Sequence, residues 1–206
     1  MPEHDAMRWL QLTYKVPSEP SQKRVWVWRR LQNLGAYALQ NSVYLLPHSE
    51  EVEKHFTQLA HDIQELGGEA SLFSVFALDE ADERRILQAL LDARNSEYSA
   101  VVQTCSQFFS HVASALQESQ EETPPSHETL SDLLEKVHSL FRSARRHDLL
   151  GNMTATRRAM AAEALMLCEQ LFRVSLERDH VKARRVLERY QDTISPLPDP
   201  TLTKLP

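Results

Sequence analysis

Glycine is scarce in this chain, and its few occurrences are spaced like punctuation. Gly35, Gly67, Gly68 and Gly151 are the only four. The first three stand where a helix should stop, because glycine enters the left-handed conformation of a helix C-terminus without steric cost. Pro17, Pro20 and Pro47 stand where strands should end. Between these marks the hydrophobic period alternates between the two-residue repeat of a strand and the repeat of a helix.

Residues 8–16 alternate strictly, with Leu10, Leu12, Tyr14 and Val16 facing one way and Gln11, Thr13 and Lys15 the other. This is a strand with one buried face. Residues 21–34 follow as a helix entered past Pro20 and closed by Gly35. Residues 36–40 and 43–46 are short β-rich runs around Asn41-Ser42, a pair suited to a tight turn or a bulge, so a hairpin is expected. Ser49 has the chemistry of a helix N-cap, and Glu50, Glu51 and Glu53 suit the positive end of the helix dipole. Val52, Phe56, Leu59, Ile63 and Leu66 then form one helical face. After Gly67-Gly68, residues 69–78 resume strand character through Leu72, Phe73, Val75 and Phe76. The order β-α-β-β-α-β is the split βαβ arrangement, which predicts a ferredoxin-like domain over residues 1–78.

Beyond Leu78 the pattern changes. Residues 69–123 contain neither glycine nor proline, and residues 80–117 suggest two helices with a break near Asn95-Ser96. Residues 118–127 are polar, acidic and proline-containing, as a linker would be. Helical spacing returns with Leu130, Leu133, Leu134, Val137, Leu140 and Phe141, and again over residues 154–190 as one long stretch. The expectation is an α+β protein: a mostly helical region over residues 79–194 after the first domain, and a proline-rich disordered tail over 195–206.

The charge pattern points to candidate contacts. The net charge of −6 argues against a surface that coats nucleic acid or anionic lipid wholesale, but not against a local basic face. The first helix carries Lys23, Arg24, Arg29 and Arg30 and no acid. At about 100° per residue, Val27, Trp28, Leu31 and Leu34 are expected on the sheet. Trp26, Lys23 and Arg30 are expected on the opposite side, with Arg29 at its edge. A tryptophan beside cations suits a base or backbone, with the cations on phosphates. The competing reading packs Trp26 on the second half of the chain or on a dimer partner. A second basic set, Arg142, Arg145, Arg146 and His147 with Arg157 and Arg158 beyond Gly151, surrounds an expected helix–helix turn and could meet an oxyanion or DNA phosphate. A third set, Lys182, Arg184, Arg185 and Arg189, is accounted for by the dipole of the last helix.

Other chemistry is faint. No phosphate-binding, dinucleotide, nucleophile-elbow or metalloprotease motif occurs. Hence no enzyme mechanism, cofactor or metal is expected. Glu51 and His55 are the pair noted for metal, and a solvated helix surface explains them better. Cys105 and Cys168 fit buried thiols, with a disulfide or a sensor pair as alternatives. No apolar run approaches the roughly 18 residues of a membrane span, and Met1 to Asp5 offer no signal-peptide core, so a cytoplasmic protein is expected.

With these elements placed, the hairpin Leu39-Gln40-Asn41-Ser42-Val43-Tyr44 between a basic and an acidic helix resembles the Cas2-type ferredoxin fold and the related domain of PaaX-type repressors. More specifically, Tyr14-Lys15-Val16-Pro17-Ser18-Glu19-Pro20, Arg24-Val25-Trp26-Val27-Trp28-Arg29-Arg30-Leu31, residues 39–47 and Glu65-Leu66-Gly67-Gly68-Glu69-Ala70 resemble the N-terminal domain of the ChrB chromate-resistance family. Glu97-Tyr98 and Arg145-Arg146-His147-Asp148-Leu149-Leu150-Gly151 are similar to its helical part. The resemblance implies a cytosolic transcriptional regulator, a homodimer on promoter DNA that responds to an oxyanion such as chromate. The full-length family protein carries a further C-terminal domain, whereas this sequence stops at Pro206. Against a metal-dependent nuclease of the Cas2 type, Tyr14-Lys15-Val16 lacks the Asp that would hold a metal at the end of the first strand. An interaction module without nucleic acid is the remaining alternative.

Overall fold

A computed structural model describes residues 7–17, 19, 21–117 and 127–194. The expected linker at 118–127, except His127, and the expected tail at 195–206 lie outside the described residues. The elements are β1 (Trp9–Lys15), α1 (Gln22–Asn33), β2 (Tyr37–Gln40), β3 (Val43–Pro47), α2 (Glu50–Glu65), β4 (Glu69–Val75), α3 (Glu80–Gln117), α4 (His127–His147), a 3-10 turn (Gly151–Thr154), α5 (Ala155–Leu176) and α6 (His180–Ile194). The protein is α+β.

The four strands form one antiparallel sheet in the order β2-β3-β1-β4. Leu12 of β1 lies opposite Tyr44 on β3 and Leu72 on β4. Two βαβ halves interleaved in this order make the ferredoxin-like topology expected from the sequence. Leu10, Leu12 and Leu46 of the sheet join Val27 and Leu31 of α1 and Val52, Phe56, Leu59 and Ile63 of α2 in one buried core. The N-cap of α2 is as expected, with Ser49 Oγ accepting from the Val52 amide at 3.1 Å. The hairpin between β2 and β3 turns at Asn41-Ser42, with Ser42 at φ 65° and a register shift between Ala38 and Gln40.

The first strand differs from its expected single buried face. Trp9 points away from Leu10 and is buried as well. Its indole nitrogen donates to Glu83 on α3 at 3.0 Å, and Arg85 on α3 donates to the Tyr37 hydroxyl at 3.0 Å. The start of α3, with Ile86 and Leu90 buried in the same core, therefore covers part of the second sheet face.

The chain divides into two compact units. One comprises Met1–Asn95 with Arg145–Thr154, the other Ser96–Ala144 with Ala155–Pro206. The division falls within α3, beyond Leu78, and residues 145–154 return to the first unit. The expected helix break at Asn95-Ser96 does not occur, since α3 runs unbroken from Glu80 to Gln117. Asn and Ser each cost a helix only a few tenths of a kcal/mol. Apolar residues on both sides, Leu90 and Tyr98, are buried and hold the helix together.

In the second unit, Val101, Cys105 and Phe108 of α3, Val137 of α4, Ala161, Ala164, Cys168 and Leu171 of α5, and Ala183 and Val186 of α6 share one core. The Phe109 and Tyr190 rings stack at 3.5 Å, and the Tyr190 hydroxyl lies 2.6 Å from Ser106 Oγ. The single stretch expected over 154–190 is two helices. Arg178, at φ 55°, ends α5, where the Asp179 amide reaches back to the Val174 carbonyl. Asp179 then caps α6, accepting from the Lys182 amide at 3.0 Å. An aspartate three residues before a helical amide is a legible capping signal, masked here because apolar spacing continues through the turn.

Candidate functional site

The basic residues of α1 separate into distinct environments. Lys23 is half-buried, and its ammonium donates to the Leu66 carbonyl at the C-terminus of α2, at 2.8 Å. It satisfies an open carbonyl and complements the negative end of that helix dipole. The expected position of Lys23, opposite the sheet, is thereby corrected: the residue is two turns N-terminal to Leu31 and lies on the core flank.

The two tryptophans exchange their expected places. Trp26 is half-buried and packs against the sheet–helix core, while Trp28 remains 50% exposed. The stripe Val27, Leu31 and Leu34 runs midway between the two indoles, about 100° from each, so angular position alone favours neither. The Arg30 guanidinium lies over the Trp26 ring, 5.0 Å from its centroid, a cation–π geometry. Trp26 thus orients Arg30.

Val25, Trp28 and Arg29, spaced i, i+3 and i+4, form an exposed strip on α1. Trp28 is the functional candidate that helical angle misplaced. The signal available was two tryptophans flanking one apolar stripe, of which only one can be accommodated beside the core.

The second basic set is divided between the units. Arg145 and Arg146 belong to the first, Arg142, Arg157 and Arg158 to the second. Arg142, Arg145 and Arg146 are exposed, Arg157 and Arg158 partly so. Among the described residues, none of Arg29, Arg142, Arg145, Arg146 and Arg157 has a carboxylate within 4.0 Å.

Residues 145–154 are anchored to the first unit by a junction that sequence reasoning missed. Arg94, 7% exposed, donates to the His147 carbonyl at 2.8 Å. Gly35, at φ 63° just past α1, fits beneath them, because a Cβ there would collide with both the His147 carbonyl and the Arg94 guanidinium. Asp148 accepts from Thr154 Oγ1 and from the Leu150 amide, and Leu150 is buried in the first core. The junction brings Arg145 and Arg146 into the unit that carries α1, with His147 against the end of that helix.

Other titratable groups offer less. Glu51 and His55 are exposed. On the same helix, His61, Asp62 and Glu65 place one ligand atom each within 4.8 Å of the others, a grouping the sequence reading passed over. It lies on a solvent-exposed surface, with Asp62 already accepting from Gln58 at 2.8 Å. Cys105 and Cys168 are buried free thiols. The hydrogen bond with Cys105 and burial push the Cys168 thiol far above its usual range. Among the described residues no helix is long and apolar enough to cross a membrane.

No solved structure matches this chain. Protein ChrB of Cupriavidus metallidurans is 33% identical over 99 residues, which cover 48% of this chain and 30% of that relative. The chain thus spans well under half the length of this curated relative. The sequence profile described as "Protein ChrB, N-terminal" matches residues 24–185, more than half of the chain and including most of α1 and the Arg94–His147 junction. The chain therefore belongs to the ChrB N-terminal domain family.

Proposed function

We propose that this chain is a DNA-binding transcriptional regulator connected with chromate resistance, acting through the exposed strip of α1. The carrying observation is that strip: a half-exposed tryptophan beside Arg29, on a helix with four cations and no acid. Trp28 would lie against sugar or base while Arg29, and Arg30 oriented by Trp26, meet phosphates. Arg145 and Arg146 add charge from the same unit, and Arg142, Arg157 and Arg158 are the further phosphate contacts of this reading. A homodimer would read a two-fold site. Chromate, an oxyanion, would act as the releasing signal. The reading gives the chain no catalytic step and places it in the cytoplasm.

Fluorescence-anisotropy titration onto the duplex upstream of its own gene, and onto a scrambled duplex, tests this reading at two salt concentrations. The expected result is tight, promoter-selective binding that weakens steeply with salt, by roughly 0.9 logarithmic units per phosphate contact for each tenfold rise in salt. Chromate should release the promoter. No binding to either duplex at low salt would end the proposal.

A second reading, a protein-interaction module, has an observation of its own. β4 is an edge strand of the sheet, Phe73 on it is half-exposed, and Phe76 and Leu78 just beyond are exposed too. An unpaired edge with apolar residues suits strand addition. In that case Phe73→Asp would abolish self-association or partner binding while leaving the protein folded.

A further inference from the structure

In the second unit, the C-terminal part of α3, the start of α4 and the turn between α5 and α6 enclose a half-open cavity of about 430 Å³. That volume is within the range of small-molecule sites, about 300–1,000 Å³. Its wall is apolar, formed by Val112, Leu116, Leu130, Val174 and Ala183, whereas its rim carries Arg178, His127 and His180. Among the described residues, Asp179 is the one carboxylate of the lining, and it is already committed. It accepts from the Lys182 amide at 3.0 Å and pairs with the Lys182 ammonium at 3.0 Å. Arg178 is permanently cationic and offers only donors, and the His127 and His180 imidazoles can each donate as well.

Two further details bear on the rim. Ser175 donates its hydroxyl proton to the Leu171 carbonyl at 2.8 Å, so its oxygen faces the cavity region only as an acceptor. Arg178 holds a left-handed backbone conformation that costs a side-chain-bearing residue free energy, where glycine would be free of strain. Arg178 is exposed and is one of the residues that line the cavity.

We propose that this cavity binds a small organic monoanion, with an apolar body against Val112, Leu130 and Val174 and a carboxylate on Arg178. An apolar wall with one cation at its edge selects this class: the body gains burial, and the head a charge-assisted hydrogen bond. The site is distinct from the α1 strip, and its test does not depend on DNA binding.

The full chain is titrated with 1-anilinonaphthalene-8-sulfonate, an apolar monoanion whose fluorescence reports burial, and the probe is competed with octanoate and with octanol. Saturable one-to-one binding is expected, with octanoate displacing the probe at concentrations at least tenfold below octanol. Arg178→Gln should weaken octanoate about tenfold or more while leaving octanol unchanged, as expected for loss of a hydrogen bond to a charged group. Ala115→Phe, which adds a ring to the cavity lining, should abolish displaceable binding, with circular dichroism showing both variants folded. Absence of saturable binding overturns the proposal. So does equal competition by octanol and octanoate, or probe binding that survives Ala115→Phe in a folded protein.

Discussion

Helices α1 and α2 contribute to the same buried core, yet they are built by opposite rules. α2 opens on a side-chain N-cap with three glutamates in its first turn, and it buries Val52, Phe56, Leu59 and Ile63. α1 has no side-chain cap bond from Ser21 and no acid in its first turn, and it buries only Val27 and Leu31 while leaving Val25 and Trp28 half-exposed. Each departure of α1 weakens it as a helix, and the same departures create a basic, aromatic surface. A helix that breaks local rules beside one that obeys them marks where sequence serves something other than stability. The cations of α1 also support its neighbour, since Lys23 satisfies the last turn of α2.

This contrast yields graded expectations. The largest effect belongs to the aromatic pair. Phe56→Ala should destabilise by about 3–5 kcal/mol, as a fully buried ring leaves a cavity. Trp28→Ala should cost less than about 1 kcal/mol, and equal losses in urea unfolding would break the distinction between the helices. Next come the glycines that end them. Gly35→Ala should cost about 2–4 kcal/mol, because a left-handed residue gains a Cβ that meets His147 and Arg94. Gly67→Ala, also left-handed but with open space around it, should cost only about 1 kcal/mol. Chemical denaturation of the two variants side by side measures the difference.

Smallest are the caps. Ser49→Ala should lose about 1 kcal/mol with its bond to Val52, whereas Ser21→Ala should change stability by only a few tenths. Thermal unfolding separates the two, and a comparable loss from Ser21→Ala would show that α1 is capped after all.

The sheet was legible in the sequence because its signals are local. Alternation in β1, the Ser49 cap, the Phe56 stripe and glycines at both helix ends each need only a few neighbouring residues to be read. What stayed hidden depends on distant chain. Trp9 is buried beside Ile86 and Leu90 of α3, far along the sequence, where Glu83 accepts from its indole. Arg145-Arg146-His147 reads as a basic run, and only the Arg94 bond and the fit at Gly35 show why it returns to the first unit. The placement of Trp26 and Trp28 failed for a narrower reason. Helical angle leaves the two equivalent, and the decision rests on which side offers core contacts. Lys23 was misread in the same way, since a lysine stem can lie along the core while its ammonium reaches a carbonyl.

The most direct test of the central claim, that the exposed strip of α1 is a DNA contact, is one paired measurement. Wild-type protein and Trp28→Ala are titrated onto the same fluorescent promoter duplex at low and moderate salt, with Arg29→Gln alongside. The account predicts that Trp28→Ala weakens binding by about 1–3 kcal/mol, roughly fivefold to 150-fold, with its salt slope unchanged. Arg29→Gln should weaken binding and also flatten the slope by about one phosphate. Affinity and slope that match wild type in both variants, with the protein still folded, would contradict the claim.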